Sequence, residues 1–219
     1  MIESLPTCAE NEFFSTTFTP HLTLPGFFPG AGGFFHGHRS ASKRILIFGT
    51  DFGQLDYQQR LPALGGEPAD NDTIFNLSKI LRSAGVSLND CFLTNAVLCT
   101  WRLDNAVGNH DVWRKYPSYI ADCAAWHGRF IAQYKPVALV LMGTPALTTF
   151  GKVLYPELGN YWKGFDSLKA VYAAQRETFR VPNGPMVLLM PHASLWYPNA
   201  KKYPDVAATA IQHLRSFAS

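Results

Sequence analysis

Cysteine is scarce and unpaired in this chain: four residues, at positions 8, 91, 99 and 123, with no C-x-x-C spacing among them. That spacing argues against a disulfide framework, and with H-E-x-x-H also missing it gives a zinc site no support. No G-x-x-x-x-G-K-[ST] occurs, so a phosphate-cradling loop is excluded, and no G-x-S-x-G marks a hydrolase nucleophile. Charge is thin as well. Charged residues make up 16% of the chain, and net charge is +3. With a pI near 8.7, contact with a polyanion is permitted, but no lopsided basic footprint demands it. No apolar run approaches the roughly 20 residues that cross a bilayer. Met1 to Pro6 lacks the basic start and apolar core of a signal peptide. The expectation is a cytoplasmic protein with reduced thiols, no membrane association and no obligate protein partner.

What is abundant is apolar: 47% of the 219 residues, with aromatics at 14%. That suffices for a full core without staples, and most of the aromatics are expected inside it. A few remain available as stacking surfaces for bases. Residues 1–42 differ from the rest. The stretch "FFPGAGGFFHGHRSAS" is rich in Gly and Phe and follows neither a helical nor a strand period. It reads as an amino-terminal arm lying over a body formed by residues 43–219, with His36 and His38 as loop residues.

From residue 43 the pattern alternates. Ile45–Phe48 reads as a strand, and "DNDTIFNLSKILRSAG" follows with Ile74, Leu77, Ile80 and Leu81 on one helical face. Asp and Asn are candidates for its N-cap, and Gly85 marks its stop. "CFLTNAVL" holds a second strand and residues 118–134 a second helix. "VALVLMG" reads as a buried strand, and "TPALTTF" restarts a helix with Pro145 in its first turn. After an insertion at 152–185, "MVLLM" makes a fourth strand, and Val206, Ala210, Leu214 and Phe217 share a face of the last helix. Strand and helix in alternation predict an α/β protein, a three-layer α/β/α sandwich around a four-stranded parallel sheet. Right-handed crossovers then gather the strand-end loops on one rim.

Three polar segments fall on that rim. They are Gly49-Thr50-Asp51-Phe52-Gly53, Thr94-Asn95-Ala96-Val97 and Pro191-His192-Ala193-Ser194. Taken singly, each has a plain structural reading: an Asp in a turn, an Asn satisfying backbone groups, a capped core His. Together they place a carboxylate, a carboxamide and an imidazole at the carboxyl ends of parallel strands, where open α/β sheets bind ligands.

The ordered series "GTDFG … LTNAVL … MGTPAL … PHASLWYP" resembles the uracil-DNA glycosylase superfamily over residues 43–217. The resemblance implies a hydrolase that cleaves the N-glycosidic bond of uracil, or of a related deaminated base, in DNA during base-excision repair. It implies catalytic roles for Asp51, which stabilises the sugar cation and orients water, and for His192, which donates to the departing base. Asn95 would read the base edge with its donor and acceptor. Leu195 would wedge into the stack vacated by the flipped base, with Ser194, Lys201 and Lys202 at the DNA. No cofactor is implied, and the partner is DNA containing a damaged base.

Four departures from the family pattern leave alternatives open. Phe52 replaces the proline of the first motif. In Gly66-Glu67-Pro68-Ala69, Ala69 stands where iron–sulfur members carry an aromatic that stacks on the base. Phe52 either supplies that stacking face or plugs the pocket. Ala193 replaces the proline of H-P-S, which loosens the loop that aims His192. Cys99 and Cys123 fall where iron–sulfur members have cluster ligands, but the amino-terminal C-x-x-C is missing. The expectation is therefore no metal, and thiols packed as small hydrophobes. Two other readings follow: a family member that binds nucleic acid or a flipped base without cleavage, and an α/β enzyme for a small nucleoside or metabolite.

Overall fold

The computed structural model describes residues 14–15, 45–51, 60, 71–98, 100–101, 117–143 and 145–218. In chain order the strands and helices are β1 (Phe14–Ser15), β2 (Ile45–Gly49), α1 (Asp72–Ser83), β3 (Cys91–Asn95), β4 (Thr100–Trp101) and α2 (Pro117–Tyr134). They continue with β5 (Ala138–Met142), α3 (Pro145–Leu154), α4 (Pro156–Tyr161), α5 (Leu168–Ala173), β6 (Thr178–Arg180) and β7 (Met186–Met190). A 3-10 turn, Ala193–Leu195, leads into α6 (Trp196–Lys202) and α7 (Pro204–Ala218).

Strands β2, β3 and β5 are buried at every residue. A strand covered on both faces needs no polar alternation, which is why β2 and β5 are apolar throughout and β3 is apolar until Thr94 and Asn95 at its end. The main sheet has the order β3-β2-β5-β7-β6. Its first four strands are mutually parallel and in register, Ile45 opposite Cys91 and Ala138, and Ala138 opposite Met186.

The expected count of four strands needs correcting. The fifth, β6, runs antiparallel to β7 along the edge. It lies within residues 152–185, where only an insertion was expected, because three half-exposed residues carry too short a pattern to signal a strand. A short edge strand also limits pairing with other chains. The same segment supplies α4 and α5. It is packed through Trp162, fully buried, whose Nε1 donates to the Arg176 carbonyl at 2.8 Å. The Tyr172 hydroxyl donates to Leu189 O at 2.9 Å, and Glu177 Oε1 lies 2.9 Å from His213 Nε2, tying the edge to α7.

Helix α1 begins and ends where its residues require. The Asn71 side chain accepts from the N–H groups of Thr73 (2.9 Å) and Ile74 (3.4 Å), satisfying two orphan donors. Gly85, at φ +74°, turns the chain so that Val86 N–H returns to Leu81 O at 2.9 Å. Helices α1 and α7 pack together on one face, and α2, α3 and α4 pack in succession on the other. Phe48 of β2 meets this second layer, with His127 of α2 at 4.9 Å and Phe150 of α3 at 5.3 Å between ring centroids. The three layers are thus α/β/α. No described helix is long and apolar enough to cross a membrane. Of residues 1–42, the described pair Phe14–Ser15 runs antiparallel to Thr100–Trp101. Phe52, Gly66 to Ala69, Cys8, Cys99, His36 and His38 lie outside the described residues.

Candidate active site

The sheet brings the ends of β2 and β3 side by side. Gly49 pairs with Asn95 at the last rung. Beyond it the ladder continues for two more bonds, Ala96 N–H to Gly49 O and Val97 N–H to Thr50 O, both 2.9 Å. Asp51 follows, half-buried, where the backbone has finished pairing. Asn95 is only 4% exposed. No hydrogen bond to its carboxamide occurs among the described residues.

His192 comes from the far side. Its strand, β7, is separated from β3 by β2 and β5, so the two backbones stand roughly 14 Å apart at about 4.8 Å per strand. Asp51 lies between them in strand order. The strand beside β7 is followed by Gly143, whose N–H donates to Met190 O at 2.8 Å. Gly143 has φ +86°, and a methyl placed on it would sit 3.5 Å from His192 Cβ and 3.8 Å from its Cδ2. It therefore forms the wall on which the imidazole rests.

Two bonds from Ser194 bear on that imidazole. The Ser194 backbone N–H donates to His192 Nδ1 at 3.3 Å, and the Ser194 hydroxyl lies 2.8 Å from the same nitrogen. A backbone N–H can only donate, so Nδ1 carries a lone pair and the neutral ring keeps its proton on Nε2. The tautomer is thus assigned from the hydrogen bonds. Ala193 was expected to leave this loop slack. Instead it is fully buried, and its carbonyl accepts from Asn76 Nδ2 of α1 at 3.0 Å. A cross-layer hydrogen bond holds the loop where the family pattern has a proline.

Behind Asn95, helix α2 presents two more groups. His127 Nε2 lies 2.9 Å from Asn95 O, and Cys123 Sγ accepts from Leu98 N–H at 3.4 Å. Burial pushes the His127 pKa down to about 3, against the opposing pull of the Asn95 and Ala96 backbone. Burial likewise pushes the Cys123 thiol up to about 11, so it stays protonated at neutral pH. Among the described residues no group of three His, Cys, Asp or Glu side chains gathers to hold a metal.

Outward from His192, the surface changes character. Leu195 is 58% exposed, and Tyr197 and Phe75 are also exposed. Lys79 Nζ stands 3.8 Å from the Phe75 ring centroid and 5.7 Å from that of Tyr197, bridging α1 and α6. Lys201 and Lys202 follow on α6, both exposed. A cavity of about 920 Å³ opens at the opposite end of the sheet, near Lys135, Tyr155, Arg180 and Met186. It brings together no acid–base pair and lies away from the rim that carries the carboxylate, the carboxamide and the imidazole.

An open parallel sheet with this trio on its carboxyl rim, in this strand order, restricts the family. A model of the Uracil DNA glycosylase superfamily matches residues 36–215. The chain belongs to that superfamily. No curated protein matches it. Membership supports hydrolase chemistry of the glycosylase kind and DNA as the substrate class.

Within the superfamily frame, Asp51, Asn95 and His192 lie on one rim, as their positions after strands anticipated. Ser194 faces His192 through its hydroxyl, while Leu195, Lys201 and Lys202 lie on the adjoining surface. Three supporting residues were not anticipated from sequence: Asn76, Gly143 and His127. Asn76 and His127 did leave a signal. Each is a polar residue on the apolar stripe of its helix, beside Leu77 and Trp126 respectively, and a buried polar side chain needs a partner.

Proposed function

We propose that this superfamily member is a DNA glycosylase that hydrolyses the N-glycosidic bond of uracil, or of a related deaminated base, in DNA. The observation that carries the reading is the tautomer of His192. Both bonds from Ser194 engage Nδ1, which puts the proton on Nε2, the donor that a departing anionic base needs.

The target base is unstacked and enters between the ends of β3 and β7. There the Asn95 carboxamide pairs with the O4/N3 edge of uracil, accepting from N3–H and donating to O4. Cytosine reverses both polarities and leaves a buried amide mismatched. As the C1′–N1 bond breaks, its electron pair leaves with the base and His192 Nε2–H stabilises the charge building on O2. Positive charge develops on the sugar, and the Asp51 carboxylate faces it. Asp51 then takes a proton from the water whose oxygen bonds to C1′. The products are the free base and an abasic deoxyribose, with the proton passing to the base through solvent. Leu195 fills the vacated stack, and Lys201 and Lys202 meet flanking phosphates.

The test uses labelled oligonucleotides with one uracil, single-stranded or opposite G or A, followed by alkali to reveal abasic sites. Wild type is compared with Asp51→Asn and His192→Ala. Cleavage by wild type that falls about 10²- to 10⁴-fold in each variant supports the assignment. Salt-sensitive binding without cleavage would make the chain a non-cleaving reader of DNA. Absence of both would leave a small nucleoside or metabolite as substrate.

A further inference from the structure

The turn Asn95–Leu98 is held from two sides. Strand β2 takes the N–H groups of Ala96 and Val97. Helix α2 takes two more of its polar groups: Asn95 O accepts from His127 Nε2 at 2.9 Å, and Leu98 N–H donates to Cys123 Sγ at 3.4 Å. Cys123 and His127 are four residues apart, so they lie one above the other on a single helix face. Asn95, Ala96, Val97 and Leu98 are all buried, so water cannot readily replace any of these bonds.

His127 is an expensive residue for its position. Its ring is fully buried and met edge-on by Phe48 at 4.9 Å, Trp126 at 5.1 Å and Phe150 at 5.3 Å. Among the described residues its Nδ1 has no hydrogen-bond partner. A phenylalanine would fill the same space without leaving a bare acceptor. What the imidazole supplies, and an apolar ring cannot, is one N–H aimed at the backbone oxygen of Asn95.

We propose that Cys123 and His127 form a two-point clamp on this turn and act as positioning residues for base discrimination by Asn95. The inference rests on the glycosylase reading. The Asn95–Ala96 peptide is then held at both ends, Ala96 N–H by Gly49 O and Asn95 O by His127, which fixes the Cα from which the carboxamide projects. Among the described residues the carboxamide has no hydrogen bond of its own, so the placement of its Cα by this backbone bears directly on its aim.

The experiment compares the full chain with His127→Phe, His127→Gln and Cys123→Ala. Three quantities are read: Tm, uracil-cleavage kcat/KM, and amide hydrogen exchange at Ala96, Val97 and Leu98 with the β5 amides as reference. The clamp predicts that His127→Phe keeps or raises Tm while kcat/KM falls about ten- to a hundredfold, the scale of a small misplacement in a site. Exchange should quicken at the turn and not in β5. His127→Gln, which retains an amide donor, should recover activity to within about fivefold of wild type. Cys123→Ala should quicken exchange chiefly at Leu98.

A folded His127→Phe that cleaves uracil as fast as wild type overturns the proposal. So does a folded His127→Gln as slow as His127→Phe. Should His127→Phe not fold, unchanged Leu98 exchange in Cys123→Ala overturns it instead. A wild type that cleaves no base defeats the glycosylase reading, and with it the recognition role. Exchange in the variants then still decides whether the clamp exists.

Discussion

The Nε2 of His127 lies 2.9 Å from the backbone oxygen of Asn95, joining the middle of α2 to the last residue of β3. This bond places an uncharged imidazole in the core directly behind the rim. Its energetic consequences can be separated from its functional ones.

The first consequence is a pH dependence. In the unfolded chain a histidine titrates near 6.5, whereas the buried ring holds its pKa down at about 3. Between these values the unfolded state binds a proton that the folded state refuses, so stability rises with pH. The contribution is complete above pH 6.5, declines as pH falls, and is exhausted near pH 3. By pH 5 the loss is about 2 kcal/mol, from about 1.36 kcal/mol per unit. Denaturant titrations at pH 7 and pH 5 should show this loss in wild type and not in His127→Gln. Equal losses in both proteins would assign the slope to other groups.

Gly143 tests whether the imidazole rests on a wall of defined shape. A methyl would have room there, at 3.5 Å from His192 Cβ, but the φ of +86° disfavours any side chain. Gly143→Ala should therefore cost about 1–2 kcal/mol of stability. Its kcat should fall more than its KM rises, because the backbone relaxes against His192. Thermal unfolding and steady-state cleavage measure the two effects. Wild-type Tm and kcat in this variant would show that Gly143 tolerates a side chain without moving the loop.

Asn76 tests the anchor of the same loop from the other helix layer. Replacing it with Ala strips the Ala193 carbonyl of its partner at a buried site, which should cost about 1–3 kcal/mol. If the bond also aims His192, catalysis should weaken beyond what the reduced stability explains, even at temperatures where the variant is fully folded. Wild-type kcat in the folded variant would restrict Asn76 to a structural role.

The exposed surface beyond His192 makes a different kind of prediction. Leu195→Ala should lower kcat/KM on duplex DNA about tenfold and leave single-stranded cleavage nearly intact, because only the duplex must be unstacked. Equal losses on both substrates would remove the wedge role. Replacing Lys201 and Lys202 with Ala should reduce the slope of log affinity against log salt by about one for each phosphate no longer neutralised. A slope unchanged in the double variant would place the DNA elsewhere.

Much of this could be read along the chain. The buried runs at Ile45–Phe48, Ala138–Met142 and Met186–Met190 have one physical solution, strands covered on both faces, and that solution places their carboxyl ends on one rim. Caps such as Asn71 and Gly85 act within a few residues, so their effect is visible locally. The positions of Asp51, Asn95 and His192 at strand ends, and their membership of a known family order, belong to this local level.

Other features were decided only when the layers met. Strand β6 is three residues long and is a strand because β7 stands beside it. Asn76 finds Ala193 across 117 residues of sequence, and Cys123 finds Leu98 across 25. Periodicity tells which face of a helix is buried, but not which carbonyl or amide waits opposite a polar residue on that face. The trio on the rim was therefore legible from sequence. The hydrogen bonds that orient its loops, and the tautomer His192 takes, came from tertiary structure, because a buried donor is satisfied by whatever the packing of distant elements brings within about 3 Å.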